Sequence, residues 1–510
     1  MRANTMAFLV PFVAALSVPS VSAAPAGREI TVGECVAAAL RNNVDIAVSR
    51  SEREIGELGI PFEDAAFLPR FTGELSYGRN LMASSSAIAG TLAVDQTLYK
   101  ADLEAADLLR TGTQLSLAFR NQRQETDSFI ALRSPEYATA LTLSAQQPLL
   151  KNGGRRVTGA PLEIARAGAE EKTGAWLAKV MDVVAAARVA FFALDAADRE
   201  VEVRRSAVTL AERLLEQVNA RIGAGAAAPM DRLPAEAAAA ARKEELLRAD
   251  AAAQGAQDDL KRVIGTRADA DWEERLVAAP VGEDISPPGA DDTFEEALKR
   301  RPEIRAQAAR RTQADLQEMV ARSRAQPALD LSLSGGLSGL AGTPQPGPFV
   351  PPGSRIPFEG NYFDSLREMV SGRYYNWFVG VKTEVPWRLD REKAESARAR
   401  ANVEIQRLAA EGIATSVRTD VHKARRDLAS ALARIDAARL SSEAAKKKLD
   451  AEEAKLSAGR STVPQVLQFQ QDYSEALLSE VRARADARAA RTRLWRAVGS
   501  ILDKEGIAVR

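Results

Sequence analysis

Few side chains in this sequence are of the types that catalyse reactions or bind metals. Cys35 is the single cysteine and His422 the single histidine, which excludes an internal disulfide and argues against a histidine-based metal or catalytic site. The sequence contains no G-x-S-x-G, HExxH or Walker A motif. The acidic residues fall in helical patterns, where they are typical of solvated faces and i,i+4 ion pairs. We therefore expect no enzymatic activity, no cofactor and no metal site.

The composition indicates long helices packed against each other. The 510 residues hold 69 basic and 69 acidic side chains, a balance that argues against a nucleic-acid-binding protein. Hydrophobic residues make up 46% of the chain but aromatic residues only 5%, because alanine is abundant. An excess of alanine with balanced charge is typical of close-packed helices with solvated outer faces.

The first 23 residues predict a secretory signal peptide. Arg2 gives a positive start, residues 6–18 are apolar, and residues 21–23 offer small side chains for cleavage before Ala24. The apolar run is too short for a membrane-spanning helix, and no later stretch is apolar enough for one. The sequence therefore predicts an exported protein without a transmembrane helix.

Two long helical hairpins end in similar glycine-containing tips. Residues from about 388 to about 457 hold no proline and one glycine, which predicts a single helix of roughly 105 Å at about 1.5 Å per residue. Gly459 suits a helix C-cap, and a second helix is predicted over about 463–502. An earlier long helix, over about 154–222, ends in the same way at Gly225, which lies 234 residues before Gly459.

An internal repeat accounts for this similarity. Residues 31–46 and 293–304 both open with a capping threonine and an amphipathic helix, and each helix later reaches a proline followed by alternating apolar residues. Such alternation predicts β-strands. The predicted strands are about 67–80, 90–98, 112–120 and 137–149 in the first repeat and about 328–340 and 374–387 in the second.

Several predicted strands have the length of membrane-spanning strands, about 10 residues, with aromatic residues near their ends. A soluble hairpin is the alternative interpretation. If the strands do span a bilayer, copies of the chain must close a ring, since unpaired backbone groups in hydrocarbon cost several kcal/mol each. The connection over 342–372 is rich in proline and glycine and predicts a long exposed loop.

Taken together, these motifs resemble those of the outer membrane efflux protein family. The resemblance rests on the helix openings at 40–46 and 298–304, the strand-to-helix junction at 147–154, and the two tips, each followed by a leucine (Leu233 and Leu467). It covers about 24–502. It implies a mostly α fold with a transmembrane β part, built from a duplicated helix–β-hairpin–long-helix-hairpin repeat. Three copies would share a β-barrel and an α-helical periplasmic tunnel.

The resemblance also implies the domain organisation. A signal peptide would be followed by a first repeat, an extended equatorial linker, a second repeat and a short C-terminal tail. The implied bounds of these parts are 1–23, 24–265, 266–292, 293–503 and 504–510. The implied parts of the two repeats are β regions at about 67–150 and 327–387, helical hairpins at about 154–265 and 388–502, and tips near 221–231 and 455–465.

The implied function is an outer-membrane exit duct of a tripartite efflux or type I secretion system in a Gram-negative bacterium, with a large periplasmic part. Its partners would be two further copies in a homotrimer, a periplasmic adaptor, an inner-membrane pump and outer-membrane lipid, with no nucleic acid. The sequence leaves the cargo open between drugs, metals and polypeptides. A periplasmic coiled-coil adaptor or scaffold is the alternative, although adaptors usually carry one helical hairpin rather than two.

The resemblance places function at the two tips. The positions that match adaptor-docking residues are Arg221, Gly225, Lys455, Leu456, Gly459 and Arg460. At the periplasmic gate, Asp231 matches an aspartate that pairs with a basic residue on the neighbouring hairpin, and Ser461 occupies that partner position here. Arg460 and Arg232 are the nearest substitutes.

Two glutamines distinguish this gate from that of other members. Gln465 and Gln468 occupy positions where the best-studied members place constricting carboxylates. Uncharged amides cannot repel anions or bind cations as a ring of carboxylates does, so we expect a weaker electrostatic gate.

The first β region departs from the family pattern. It holds four predicted strands, whereas the family normally has two in each repeat, and so four in each chain and twelve in the trimer. We expect the extra pair, at about 90–120, to form an external hairpin; additional barrel strands are the alternative.

Overall fold

The computed structural model describes residues 27–83, 93–128, 130–282, 285–345, 356–385 and 387–508. The predicted signal peptide lies outside these residues. The chain divides into two compact units. Unit 1 comprises Met1–Asn43, Ala186–Pro287 and Ala429–Thr492, and unit 2 comprises Val44–Ala185, Pro288–Leu428 and Arg493–Arg510.

The described part of the chain is mostly helical, with one large sheet. The helices are α1 (Val32–Asn42), α2 (Val44–Asp64), α3 (Arg155–Thr158), α4 (Ala160–Gly223), α5 (Arg232–Ile264), α6 (Asp269–Glu273), α7 (Phe294–Arg300), α8 (Pro302–Arg324), α9 (Tyr362–Val370), α10 (Asp390–Ser457), α11 (Val463–Val498) and α12 (Ile501–Lys504). The strands are β1 (Arg28–Ile30), β2 (Arg70–Ala83), β3 (Ala93–Leu108), β4 (Gln114–Thr126), β5 (Arg133–Pro148), β6 (Leu276–Ala278), β7 (Ala328–Pro344) and β8 (Tyr375–Glu384).

Both predicted long helices are present. Helix α10 has 68 residues and α4 has 64, and each ends within two residues of its predicted end. Their alanine, glutamate, lysine and arginine content favours helix at nearly every position. Among the described residues, no helix is both long enough and apolar enough to cross a bilayer.

Unit 1 is built around an apolar core between α1, α4 and α5. Phe191 and Phe192 of α4 are almost completely buried there with Leu260 of α5. Cys35 of α1 lies in the same core, and burial raises the pKa of its thiol to about 12, so the thiol stays protonated and unreactive. The short strands β1 and β6 pair in parallel beside this core.

Similar contacts recur where the two repeats were predicted. Thr31 caps α1 and Thr293 caps α7, each accepting a backbone hydrogen bond from a glutamate three residues later. Gly265 lies against Asn42 at the end of α1, and Gly499 lies against Arg300 at the end of α7; both glycines have positive φ. Gly499 follows Gly265 by 234 residues, the same spacing that separates the two tips.

Unit 2 contains a single antiparallel sheet of six strands in the order β2–β3–β4–β5–β7–β8. The prediction that the extra pair forms an external hairpin is wrong. Strand β3 pairs with β2 through 14 residues, and β4 pairs with β5 through 11. The extra strands are therefore hydrogen-bonded on both sides within the sheet, which satisfies their backbone amides and carbonyls.

The strand register gives the sheet one apolar and one polar face, because successive side chains point to opposite sides. One row across all six strands runs through Gly73, Leu103, Phe119, Leu141, Leu337 and Tyr375. The next row, on the opposite face, runs through Thr72, Glu104, Ala118, Thr142, Gly336 and Asn376. We call these the apolar face and the polar face. Strands β3 and β4 keep this alternation, so both belong to the same two-faced surface as their neighbours.

A cavity of about 840 Å³ lies against the polar face. The polar residues that line it include Glu104, Gln114, Ser116, Ser144, Gln146, Ser332 and Ser334. Apolar residues, among them Ala65, Leu68 and Phe378, complete the lining.

The sequence predicts a long exposed loop between β7 and β8, but the connection also contains a helix. Residues 346–355 lie outside the described part, but α9 follows them and packs onto β5 and β7. Ser365 and Met369 of α9 are buried against the sheet. Gly339 of β7 makes this possible, because a Cβ there would lie 1.9 Å from the Ser365 carbonyl oxygen.

This packing leads to a prediction. Replacing Gly339 with alanine should push α9 off the sheet and expose it to trypsin at Arg367 and Arg373, whose side chains are already accessible. We expect cleavage there to accelerate at least about tenfold, since local opening that costs about 1.4 kcal/mol less raises the open population by that factor. Gly335→Ala is the matched control, because its Cβ would meet only a backbone oxygen at 4.0 Å. Equal cleavage of the two variants would show that α9 does not depend on close approach at Gly339.

Candidate functional site

The two helical hairpins meet at their tips in a common apolar cluster within unit 1. This tip core contains Leu214, Val218, Ala235, Leu449, Leu456, Val463 and Val466. Its members come from α4, α5, α10 and α11, so each hairpin contributes both of its helices. The exposed turns therefore project from a packed base rather than from frayed helix ends.

The turns themselves have the same backbone geometry. In the first, the amide of Ala226 donates to the Arg221 carbonyl at 2.8 Å and that of Gly225 to Ile222 at 3.0 Å. In the second, the Arg460 amide donates to the Lys455 carbonyl at 2.9 Å, and the Gly459 amide donates to the Leu456 carbonyl at 3.0 Å. Gly225 and Gly459 have φ of 71° and 72°. This pair of bonds around a left-handed glycine is the Schellman helix cap, as the sequence predicted for Gly459.

A cross-tip hydrogen bond joins the two turns. Arg221 Nη1 donates to the Leu456 carbonyl at 3.2 Å. The last carbonyls of a helix carry partial negative charge, so a guanidinium is well suited to this position. Arg221 therefore belongs to both turns.

The predicted docking residues differ in accessibility. Gly225, Gly459, Lys455 and Arg460 are exposed, and Arg221 is half-buried. Leu456 is only 6% exposed, because its side chain packs in the tip core. In this structure a docking partner can reach four of the six positions freely, while Leu456 acts as part of the base.

Ser461 has a carboxylate partner that the sequence analysis missed. Its hydroxyl donates to Glu452 Oε1 at 2.5 Å, and Lys455 Nζ donates to Glu452 Oε2 at 2.9 Å. The only sequence signal for Glu452 is the i,i+3 spacing to Lys455; the turn that brings Ser461 back to it is a tertiary feature.

These contacts lower the pKa of the Glu452 carboxyl, mainly through the Ser461 hydrogen bond and then through Lys455. A lowered folded pKa means that the ionised carboxylate stabilises the turn at pH above its ordinary value, and that this contribution is lost as pH falls through the lowered value.

The contacts of Asp231 lie within its own turn. Its Oδ2 accepts a hydrogen bond from the Ala228 amide at 3.2 Å, while Arg232 pairs with Glu236 at 2.7 Å. Within one chain, Ser461 is therefore hydrogen-bonded to Glu452, and Asp231 caps its own helical turn.

Gln465 and Gln468 are exposed on α11. Gln468 Nε2 donates to Asp472 Oδ1 at 2.8 Å. A helical step of about 100° per residue places Gln465, Gln468 and Asp472 on one face. The nearest exposed carboxylate on that face is therefore one turn farther from the tip. Among the described residues, no three His, Cys, Asp or Glu side chains are grouped so as to hold a metal ion.

Solved outer-membrane channels share this fold. The structure matches the outer-membrane channel OprN with a TM-score of 0.66 and 18% identity, over 92% of this chain and 90% of that one. It matches the Campylobacter jejuni outer-membrane channel CmeC with a TM-score of 0.65 and 15% identity, over 92% and 86%. It matches the open-state MtrE channel of Neisseria gonorrhoeae with a TM-score of 0.63 and 18% identity, over 92% of this chain and 89% of that one. A comparison with curated proteins gave no significant match.

The family comparison identifies the chain at the level of sequence. The profile described as outer membrane efflux protein matches residues 36–266 and 293–500, which cover both predicted repeats. This confirms the resemblance inferred from the motifs, and it favours an outer-membrane exit duct over the periplasmic scaffold. The chain belongs to the outer membrane efflux protein family.

Proposed function

We propose that three copies of this chain form the exit duct of an efflux system, in which cargo from an inner-membrane pump passes through a periplasmic tunnel and an outer-membrane barrel. The observation that carries this proposal is the two-faced, six-stranded sheet. Its apolar face suits lipid, and its polar face suits a water-filled lumen.

The sheet needs partners at both edges. Among the described residues, strands β2 and β8 each have one neighbour, so the outward backbone groups of both have no strand partner within one chain. In a bilayer such groups must be paired, so the edges of one copy would bond to those of the next. Because the number of strands is even, β8 of one copy and β2 of the next would run antiparallel like every other pair.

Six strands from each of three copies give a barrel of eighteen. This differs from the twelve that the family resemblance implies, because β3 and β4 lie inside the sheet rather than beside it. On β2, six residues separate Phe71 from Tyr77, or about 20 Å along the strand, which is close to the height of a barrel's apolar band. Tyr77 and Tyr99 lie side by side at one border of that band, with ring centroids 5.0 Å apart.

The long helices would form the periplasmic part. At about 1.5 Å per residue, α4 and α10 are each roughly 100 Å long. We propose that the chain consists of two repeats with the bounds given in Sequence analysis, and that the segment 266–292, which contains α6 and β6, is the equatorial linker. The shared spacing of Gly265 with Gly499 and of Gly225 with Gly459 supports the duplication.

The duct function can be tested on the natural assembly. Outer membranes would be extracted with detergent, the oligomer mass measured, and the protein added to planar bilayers. We expect a mass of roughly three times the 54.8 kDa chain, less its signal peptide, together with stable single-channel openings. A soluble monomer without pore activity would contradict the proposal.

We further propose that the tips dock a periplasmic adaptor through their exposed turns. Alanine at Gly225 and Gly459 should reduce adaptor capture, because left-handed backbone costs a non-glycine residue about 1–2 kcal/mol and the added methyl prevents close approach. The measurement is the amount of endogenous adaptor cross-linked to the tagged duct in intact cells. Gly223→Ala is the control, since Gly223 is exposed and its Cβ would meet nothing within 4 Å. Unchanged capture by the double variant would argue that docking lies elsewhere.

The gate is proposed to lie near Asp231, Ser461, Gln465 and Gln468, with weak electrostatic control because of the two amides. Low-micromolar multivalent cations should block the natural channel poorly in single-channel recordings. Replacing Gln465 and Gln468 with aspartate would add six carboxylates to a trimer and should create strong block, through the steep attraction between opposite charges in a narrow pore. Gln254→Glu, on an exposed position about 33 Å along α5, is the control. Strong block of the natural channel would refute the weak gate.

A further inference from the structure

Helix α9 lies on the apolar face of the sheet, close to the end opposite the helix junctions. It contacts the row of Asn121, Thr139 and Gly339, all of which point to the apolar side. On one side of that row lies the row of Phe119 and Leu141, and on the other side lies the row that contains Tyr137.

The inner side of α9 satisfies polar groups that lipid could not. Thr139 is 2% exposed, and its hydroxyl donates to the Ser365 carbonyl at 3.1 Å. Asn121 Oδ1 accepts from the Tyr362 hydroxyl at 2.9 Å. Without α9, Asn121 Oδ1 would lose this donor, and the Thr139 hydroxyl would keep only its contact with the Gly339 carbonyl at 3.5 Å. Both polar groups would then face hydrocarbon incompletely paired, which is costly.

The outer side of α9 is apolar and exposed. Phe363 is 71% exposed and Val370 is 74% exposed. Both lie on the side of α9 that is turned away from the sheet. Tyr375 and Trp377 of β8, also on that face, are 70% and 74% exposed. The apolar face therefore continues onto the helix instead of ending at it.

The four charged side chains of residues 362–373 are paired and balanced. Arg367 pairs with Asp364 at 3.0 Å, and Arg373 pairs with Glu368 at 3.2 Å. A surface that bound an anionic partner would carry excess positive charge, whereas this one offers exposed apolar and aromatic side chains. Such a combination is typical of helices that lie at the boundary between lipid headgroups and acyl chains.

We propose that α9 is an interfacial helix whose outer side, Phe363 and Val370, rests in the headgroup–acyl boundary of the outer leaflet. It covers Asn121 and Thr139 on the apolar face of the barrel wall and holds the outer rim at a fixed depth in the membrane. This inference rests on the proposed function, because it requires the apolar face to meet lipid.

The test uses site-specific fluorescence in proteoliposomes of neutral phospholipid. Cysteine would be introduced at Phe363 or Val370 in a Cys35→Ala background and labelled with an environment-sensitive fluorophore. Quenching would be measured with lipids that carry a nitroxide near the headgroup, with lipids that carry it near the chain end, and with aqueous iodide. Leu143→Cys, at the centre of the apolar face, and Ser334→Cys, on the polar face, are the controls.

We expect labels at 363 and 370 to be quenched at least about twofold more by the shallow nitroxide than by the deep one, since such helices lie about 5–10 Å into the boundary. Iodide should quench them weakly. The Leu143 label should prefer the deep nitroxide, and the Ser334 label should respond to iodide.

Two other results at 363 and 370 would overturn the proposal while leaving the duct intact, provided that Leu143 still reports lipid. Strong iodide quenching would place the outer side of α9 in water, and protection from all three quenchers would place it against protein. If Leu143 itself is not quenched by lipid, the apolar face does not meet the bilayer and the duct proposal fails as well.

Discussion

The outward backbone groups of β2 and β8 have no strand partner within the part of the chain that the structure describes. In the proposed assembly the apolar face meets lipid, so these edges lie in hydrocarbon, where an unpaired amide or carbonyl costs several kcal/mol. Most of the proposed assembly follows from this requirement. It makes the single copy incomplete, it makes a closed ring of identical copies the simplest solution, and it fixes the strand number of that ring as a multiple of six.

The same requirement operates at smaller scale elsewhere in the chain. On the apolar face, α9 supplies an acceptor for the Thr139 hydroxyl and a donor for Asn121 Oδ1. At the tips, the last carbonyls of α4 and α10 are satisfied by paired glycine caps, and one of them also accepts the Arg221 guanidinium. The exposed turns can therefore be small and rigid, which suits surfaces that another protein must approach closely.

Much of the fold is predictable from the sequence because its signals are local. Neither long helix contains proline beyond its first turn, the caps use threonine and glycine, and the predicted strands alternate, so each element is identified by its own residues. The pairing of β3 and β4 is different, since alternation identifies a strand without naming its neighbours. Residues 101–108 of β3 also have an alanine- and leucine-rich composition that favours helix, and only bonding on both sides makes them a strand.

The candidate site was predictable in outline but not in its contacts. The tip glycines follow from the hairpin pattern. Glu452 could not be found, because its partner Ser461 comes back to it only through the turn. Helix α9 was missed because the prolines before it suggest a loop, although Asn361 and Asp364 form a capping box that marks its start.

The most direct test of this account is a single-particle reconstruction of the detergent-extracted assembly, in which the strands of the barrel wall are counted. We expect a closed wall of eighteen strands, with β3 and β4 of each copy inside it and β8 of one copy bonded to β2 of the next. A wall of twelve strands with β3 and β4 folded outside it, or a sheet with open edges, would contradict it.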